Sequence, residues 1–394
     1  MTNWFAQIVS ITGMSLKSMP QRLAPSIVAV VGVAGVVLVL VGVLSMREGF
    51  QAVLERSGAD DIAIVLRSGA TDEMGSTLAQ VQTRLIEDAP GVARDERGPI
   101  TSPELYVVVD VPLKRTGTSA NVPLRGVGAR AAELRQAFKI TSGRYFEPGK
   151  FEVIVGRGAV QQFVGLQVGA ELRWGATTWR VVGIFEDGGS VAESEIWTDA
   201  TVLQGAYNRG TSYQSQRVRL VSPNALRTFK DALTTDPRLN VTVQTEREYL
   251  AEKSATIVTL ITIAGGAIGL LMGLGAVFGA LNTMYSAVAA RTREIATLRA
   301  LGFGSTPIVI SVLTEALLLG IVGGLIGGIL AFVGFNGIEA STMNGFNQMT
   351  FAFRVTPELI VQGIAYALIL GFFGGVLPSV RAARMPITVG LREL

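Results

Sequence analysis

The sequence predicts a membrane α-helical fold: four transmembrane helices, with a large α+β extracytoplasmic domain between the first and second helices. Three observations predict it. Apolar residues gather in four runs, 26–44, 257–281, 308–335 and 359–377, each long enough at 1.5 Å per residue to cross roughly 30 Å of hydrocarbon. About two hundred residues of soluble composition separate the first run from the second. A short arginine-bearing stretch, ARTREIATLRALGFG at 290–304, joins the second run to the third, and such loops stay in the cytoplasm.

Composition narrows the function before any motif does. The chain has 394 residues, 49% hydrophobic and 16% charged, too apolar for an ordinary soluble enzyme. It contains no cysteine and no histidine. Disulfides, Cys or His nucleophile systems, Ser-His-Asp triads, HExxH zinc sites and haem attachment through CxxCH are all excluded. The net charge of +3 is small and comes largely from arginines flanking the apolar runs, so no nucleic-acid partner is expected. No GxxxxGK[ST] phosphate loop occurs. RGVG at Arg125–Gly128 reads as a strand ending in a turn. Asp60-Asp61, Glu186-Asp187 and Glu193/Glu195 read as solvated turns rather than an acid-base pair. The expectation is a subunit with no catalytic residue, no metal site and no cofactor of its own, driven by energy released elsewhere.

Taken in order, residues 1–22 form an amphipathic cytoplasmic segment, with Trp4, Phe5, Ile8, Val9, Ile11 and Leu16 as its apolar members. Lys17 and Arg22 hold that end in the cytoplasm. The first membrane helix, 23–46, reads as an uncleaved signal anchor rather than a cleaved signal, because its apolar part is long and residues 44–46 lack a small-x-small site. The extracytoplasmic domain spans 47–255. Its ends, REGFQAVLER at 47–56 and EREYLAEK at 246–253, continue the neighbouring membrane helices as stalks.

Between the stalks, short β-type runs fall at 62–66, 106–111, 122–127, 152–155, 171–174, 178–185, 218–220 and 240–244. Helical patterns fall at 77–87, 129–138, 199–207 and 223–233, and the mixture is α+β. The strand-rich middle, from Gly143 to Gly189, reads as a second lobe inserted into this module.

The second membrane helix, 256–283, carries Gly265, Gly269 and Gly273. The third, 307–335, carries Gly320, Gly324 and Gly328. Glycines four apart on one helical face let backbones approach closely, so these are helix-packing residues. Glu315 is an acid inside the third membrane helix and therefore a functional candidate, or else a partner for a neighbouring helix near the cytoplasmic interface. The short external loop at 336–356 carries only Glu339 and Arg354. The fourth membrane helix, 357–378, opens with Thr356-Pro357-Glu358 as cap, first position and first-turn acid. Arg381, Arg384 and Arg392 place the tail, 379–394, in the cytoplasm.

The loop at 284–306 is the feature around which these parts are arranged. Arg291, Arg293 and Arg299 stand against Glu294, while Ile295, Leu298 and Leu301 recur at helical spacing. Gly302 is a C-terminal stop, and Thr306 and Pro307 read as the cap and first position of the next helix. A short helix there is well placed to take force from a partner; a loop that only sets topology is the alternative.

RTREIATLRALGFGSTPIVISVLTEALLLGIVGGLIGG, residues 291–328, resembles the signature of the FtsX-like permeases, the type VII ABC transporters that include the macrolide exporter and the lipoprotein-releasing permeases. PSVRAARMPITVGLREL at the C-terminal end resembles the ending of that family. GRYF at 143–146, EVIVG at 152–156 and VVGIF at 181–185 resemble its periplasmic core domain. The resemblance implies a permease subunit in the bacterial inner membrane, with both termini cytoplasmic. It implies pairing with a second permease, identical or related, and a separate ABC ATPase dimer that binds ATP-Mg, because the macrolide exporter carries its ATPase N-terminally whereas this chain begins almost at a membrane helix.

By the same resemblance Arg291, Arg293, Glu294, Ile295, Leu298, Arg299, Leu301 and Gly302 form the ATPase-coupling helix. The ATPase's motion would then reach the extracytoplasmic domain by mechanotransmission through the helices, for export or extraction of a substrate. Membrane lipid and a periplasmic adaptor or effector complete the implied partners. The alternative is an ATP-gated signalling scaffold that activates an extracytoplasmic partner such as a cell-wall hydrolase.

Overall fold

A computed structural model describes the backbone of residues 3–18, 23–344 and 347–390, and the side chains of 7–14, 26–340 and 351–388. The side chains of Trp4, Phe5, Leu16, Lys17, Arg22 and Arg392, on which terminal expectations rest, lie outside the described residues. The chain divides into two compact units: residues 1–49, 259–338 and 352–394, and residues 50–258 with 339–351.

The first unit is helical. Four helices are long and apolar enough to cross a bilayer: Leu23–Ser57, Glu246–Ala289, Ser305–Phe335 and Pro357–Arg384. The first and second run on without a break through the charged segments 47–56 and 246–253. Those segments lack Pro and hold a single Gly, Gly49, too little to interrupt a helix already nucleated by the apolar run.

Three expectations are corrected here. The third helix starts at Ser305 behind an extended Gly304, with no side-chain cap, so Thr306 and Pro307 fall inside its first turn. Proline is tolerated there because first-turn amides have no intrahelical acceptor. The fourth helix, capped as expected by Thr356 accepting from Leu359 N at 3.3 Å, continues past Pro378 to Arg384. Finally, the loop at 336–356 contains a hairpin, Glu339–Asn344 against Asn347–Ala352.

The second unit is built on a ten-stranded sheet. Its strands are β1 (Ile62–Arg67), β2 (Thr101–Pro112), β3 (Ser119–Val127), β4 (Phe138–Gly143), β5 (Glu152–Gly156), β6 (Glu171–Trp174), β7 (Thr177–Asp187), β8 (Ile196–Asp199), β9 (Ser215–Arg219) and β10 (Val241–Thr245). The spatial order is β10-β1-β9-β2-β3-β8-β5-β7-β4, with β6 on β7. β2 belongs to both halves: residues 101–104 pair with β9 and residues 105–112 with β3.

Each half has its own core. Helices Gln80–Glu87 and Ala225–Thr235 lay Ile86, Phe229 and Leu233 on Ala63, Val65, Val218 and Val243. On the other half Leu105, Val107, Val109, Leu124, Val153, Val155 and Trp179 enclose Leu203 of helix Ala200–Ala206. The boundary between cores therefore falls within β2 rather than at Gly143. The helix expected at 129–138 is only a 3-10 turn at Ala131–Leu134, followed by β4. Tertiary packing overrides the helical pattern there: Phe138 stacks on Phe185 and Trp197 at 5.3 and 5.6 Å between ring centroids.

Candidate functional site

The expected coupling segment folds as a nine-residue helix, Thr292–Ala300. It ends in a Schellman turn: Phe303 N donates to Leu298 O and Gly302 N to Arg299 O, both at 3.1 Å, with Gly302 at φ +94°. Only glycine takes that conformation without strain, which is why the stop falls there.

The eight candidate residues do not form one outward face. Ile295 is buried among Met284, Val288, Ile308 and Val312, and Leu298 packs beside it. Arg291 is 6% exposed, and its Nη1 donates to Glu315 Oε2 at 2.9 Å. Glu315 is thus one half of a buried ion pair that fastens the start of the linker helix to the third membrane helix. Arg299 reaches the carbonyl of Met385, beyond the fourth helix. The expected stripe therefore splits. Ile295, Arg291 and Arg299 hold the linker to its own bundle, while Arg293, Glu294 and Leu301 face outward, Leu301 at 72% exposure. Periodicity showed an apolar stripe but could not show that the third helix would cover one end of it. A cavity of about 450 Å³ lies beneath the linker, between Met14, Met284, Leu298 and Glu315.

All six packing glycines sit at close contacts within this unit. A methyl group on Gly265 would come within 2.8 Å of Val43, and one on Gly269 within 3.0 Å of Leu40. Gly273 lies under Tyr366, whose hydroxyl donates to the Gly269 carbonyl at 2.7 Å. Gly320 and Gly324 face Ala367, and Gly328 faces Ile360. Gly323 and Gly327, on the neighbouring stripe of the third helix, face Val33 and Ala34 of the first. These contacts are used within one chain, which is what small residues permit where lipid provides no hydrophobic drive for helix association.

Sequence reasoning missed a second constellation. Period-two alternation puts Ser102, Glu104 and Tyr106 on one face of β2, and Ser215 and Arg217 on one face of β9. Tyr106 is the cross-strand neighbour of Arg125 on β3, whose guanidinium lies 4.9 Å from the ring centre. All five N–H groups of Arg125 are engaged. Nε and Nη2 hold Glu195 at 2.8 and 2.7 Å, Nη1 and Nη2 hold Glu73 at 2.8 and 3.1 Å, and Nη1 also holds Glu104 at 2.9 Å. Arg217 joins Glu73 at 3.2 Å and Glu246 at 3.0 Å and also contacts Glu104. Arg135 meets Glu246 at 2.5 Å.

Burial alone would raise the Glu73 and Glu195 carboxyls. Arg125, helped by Arg217, outweighs it and holds both below the usual range. The reading of Glu193 and Glu195 as solvated is therefore corrected. Glu195 is in the network, and Glu193 accepts from Asp187 N and Gly189 N at 2.7 Å each. RGVG does end β3, but its arginine is the hub of this unit. The available signal was charge at strand centres, in SPELY, PLRGV and SQRVR.

Four helices able to cross a bilayer, a linker helix tied to the third and an α+β unit inserted after the first define a polytopic permease. Known proteins agree. The profile described as FtsX-like permease C-terminal matches residues 266–387, and that described as MacB-like periplasmic core domain matches residues 26–236, more than half of the chain. The chain belongs to the FtsX-like ABC transporter permeases with a MacB-like periplasmic core domain.

Among its relatives, an uncharacterised ABC transporter permease of Methanocaldococcus jannaschii is 24% identical over 271 residues, covering 64% of this chain and 67% of that one. The macrolide export ATP-binding/permease protein MacB of Bordetella avium is 22% identical over 385 residues, covering 92% of this chain and 56% of that one. The chain thus spans little more than half the length of the macrolide-export relative. The crystal structure of the periplasmic region of MacB from Actinobacillus actinomycetemcomitans superimposes with a TM-score of 0.38 at 11% identity, covering 50% of this chain and 92% of that one.

Proposed function

We propose that this permease is a mechanotransmission subunit. An ABC ATPase that binds ATP-Mg docks on the outward face of the linker helix, and its closure is passed through the membrane helices to the α+β unit, to export or extract a substrate. The observation that carries the reading is the buried Arg291–Glu315 pair. A linker that only set topology would need exposed arginines; this one is bolted to a membrane helix by a pair that is 7% and 6% exposed. Two continuous helices, Leu23–Ser57 and Glu246–Ala289, contain residues of both units and provide an unbroken route for the motion. On this reading the chain sits in a bacterial inner membrane with both termini cytoplasmic, works as a pair of permeases, and does no chemistry itself.

The linker face left for the ATPase is Arg293, Glu294 and Leu301. Reversing both charges, Arg293→Glu with Glu294→Arg, is expected to abolish recovery of the ATPase with the tagged permease from membranes. Recovery at the unmodified level would refute the docking assignment.

A further inference from the structure

A cavity of about 400 Å³ lies in the α+β unit, against the charged face of the sheet. Its volume is within the usual range for small-molecule sites. One wall is the start of helix Glu246–Ala289, where Tyr249, Leu250, Lys253 and Ile257 all line the space. Spacings of three and four put these residues on one stripe, and from Glu246 to Ile257 that stripe is about 16 Å long at 1.5 Å per residue. Met74 and Val191 complete the apolar lining. The other end is polar, with Tyr106, Arg125, Arg217 and Glu195.

The polar end is short of acceptors. The Tyr106 hydroxyl is buried with no hydrogen-bond partner, in a residue only 5% exposed. Among the described residues, the hydrogen bonds of Arg217 leave from Nε and Nη1 only, so Nη2 has donors to spare. Both carboxylate oxygens of Glu73 and of Glu195 are already taken by Arg125. A buried hydroxyl left unsatisfied is unfavourable, so a ligand that brings an acceptor to Tyr106 is favoured, and the spare Nη2 donors of Arg217 on the cavity wall add to that preference.

The charge of that acceptor is also constrained. Arg125, Arg135, Arg217 and Lys253 face Asp72, Glu73, Glu104, Glu195 and Glu246, which leaves one carboxylate in surplus. A second anion would meet like charge in a poorly hydrated place. An ammonium head would add three more donors where acceptors are already short.

We infer that this cavity binds a small single-chain amphiphile with an uncharged, oxygen-rich head, of the monoacylglycerol type. The head accepts from Tyr106 and Arg217, and the chain lies along Leu250 and Ile257. The inference goes beyond the coupling reading and does not rest on it.

The test is direct binding to the full chain in phosphatidylcholine nanodiscs, comparing radiolabelled 1-monolauroylglycerol, dodecanoate and dodecylamine, which share a chain length and differ in head. Monolauroylglycerol is expected to bind saturably and at least tenfold more tightly than either charged analogue. Leu250→Trp, which fills the cavity, should abolish that binding. Tyr106→Phe, which keeps the ring and removes only the hydroxyl, should weaken it about fivefold, the worth of one neutral hydrogen bond; this variant reads the site even should Leu250→Trp fail to fold. No saturable binding above empty discs, unchanged binding in both variants, or tightest binding of a charged analogue would overturn the proposal. The measurement contains no ATPase, so its failure and the failure of the coupling reading are distinguishable.

Discussion

Two buried arginines do different work in this molecule. Arg125 sits at the centre of a sheet, with every N–H bonded to carboxylates that come from β2, the residue before β8 and the segment carrying Glu73. Arg291 sits at the entry to a nine-residue helix and meets one membrane-helix acid, Glu315. Moving Arg125 would break contacts to three carboxylates at once. Swinging the linker helix has to break the Arg291–Glu315 pair and the Arg299 contact with Met385 and to unseat Ile295, with a cavity beneath it to move into. The difference separates a fixed frame from an adjustable joint, and each half of it is open to test.

The largest effect is expected at the frame. Arg125→Met strands Glu195 in a buried site and leaves Glu73 and Glu104 with Arg217 as their only cation. Removing one partner of a buried pair typically costs about 3–5 kcal/mol, so at least that loss of unfolding free energy is expected for the full chain. Denaturant titration followed by the fluorescence of buried Trp179 and Trp197 measures it. Arg291→Met takes apart a single buried pair, so its loss should stay within about 3–5 kcal/mol and below that of Arg125→Met. Equal losses at the two positions would erase the distinction between frame and joint.

A pH series sharpens the same contrast. Glu73 and Glu195 are held below the ordinary carboxylate value of 4.5 in the folded unit. Their contribution to stability is complete above that ordinary value and is lost as pH falls through the folded values. Glu87 and Asp187 are raised by burial, so acid relieves rather than weakens them, and they offset part of the loss. The unfolding free energy read by Trp fluorescence should therefore fall below about pH 4.5. In Arg125→Met, Glu195 keeps only the Trp197 indole N–H among its hydrogen bonds. Its carboxyl is then raised by burial, and mild acid should stabilise the variant. A slope of the same sign in both proteins would show that the network does not set the acid response.

How much of this could be read from residues alone depends on which interactions are local. The membrane helices were legible because each is a run of one character, long enough to decide its own structure. The Gly302 stop and the Thr356 cap were legible for a similar reason, since both act within four residues. The Arg125 network was not, because Glu73, Glu104, Glu195 and Arg217 come from distant stretches and meet only through strand order and register. Glu315 stood out in the sequence as a charge in an apolar run, but its partner depended on how the linker folds back. The same dependence buried Ile295, nine residues before Gly304, and left Leu301, three residues before it, exposed at the end of the same short helix.

The smallest effect on the fold is expected where, on the proposed reading, the linker would meet the ATPase. Leu301 is 72% exposed and stands at the C-cap of the linker helix, in front of Gly302. An aspartate there loses little burial, and substitutions at such exposed positions usually stay within about 0.5 kcal/mol. Leu301→Asp should therefore unfold like the unmodified chain in the denaturant titration. On the proposed docking Leu301 makes an apolar contact with the ATPase, where a charge is disfavoured, so recovery of the ATPase should fall steeply. The pair of outcomes discriminates. A change in stability would mean that Leu301 belongs to the frame, whereas undiminished recovery would mean that the outward face of the linker is not where the partner docks.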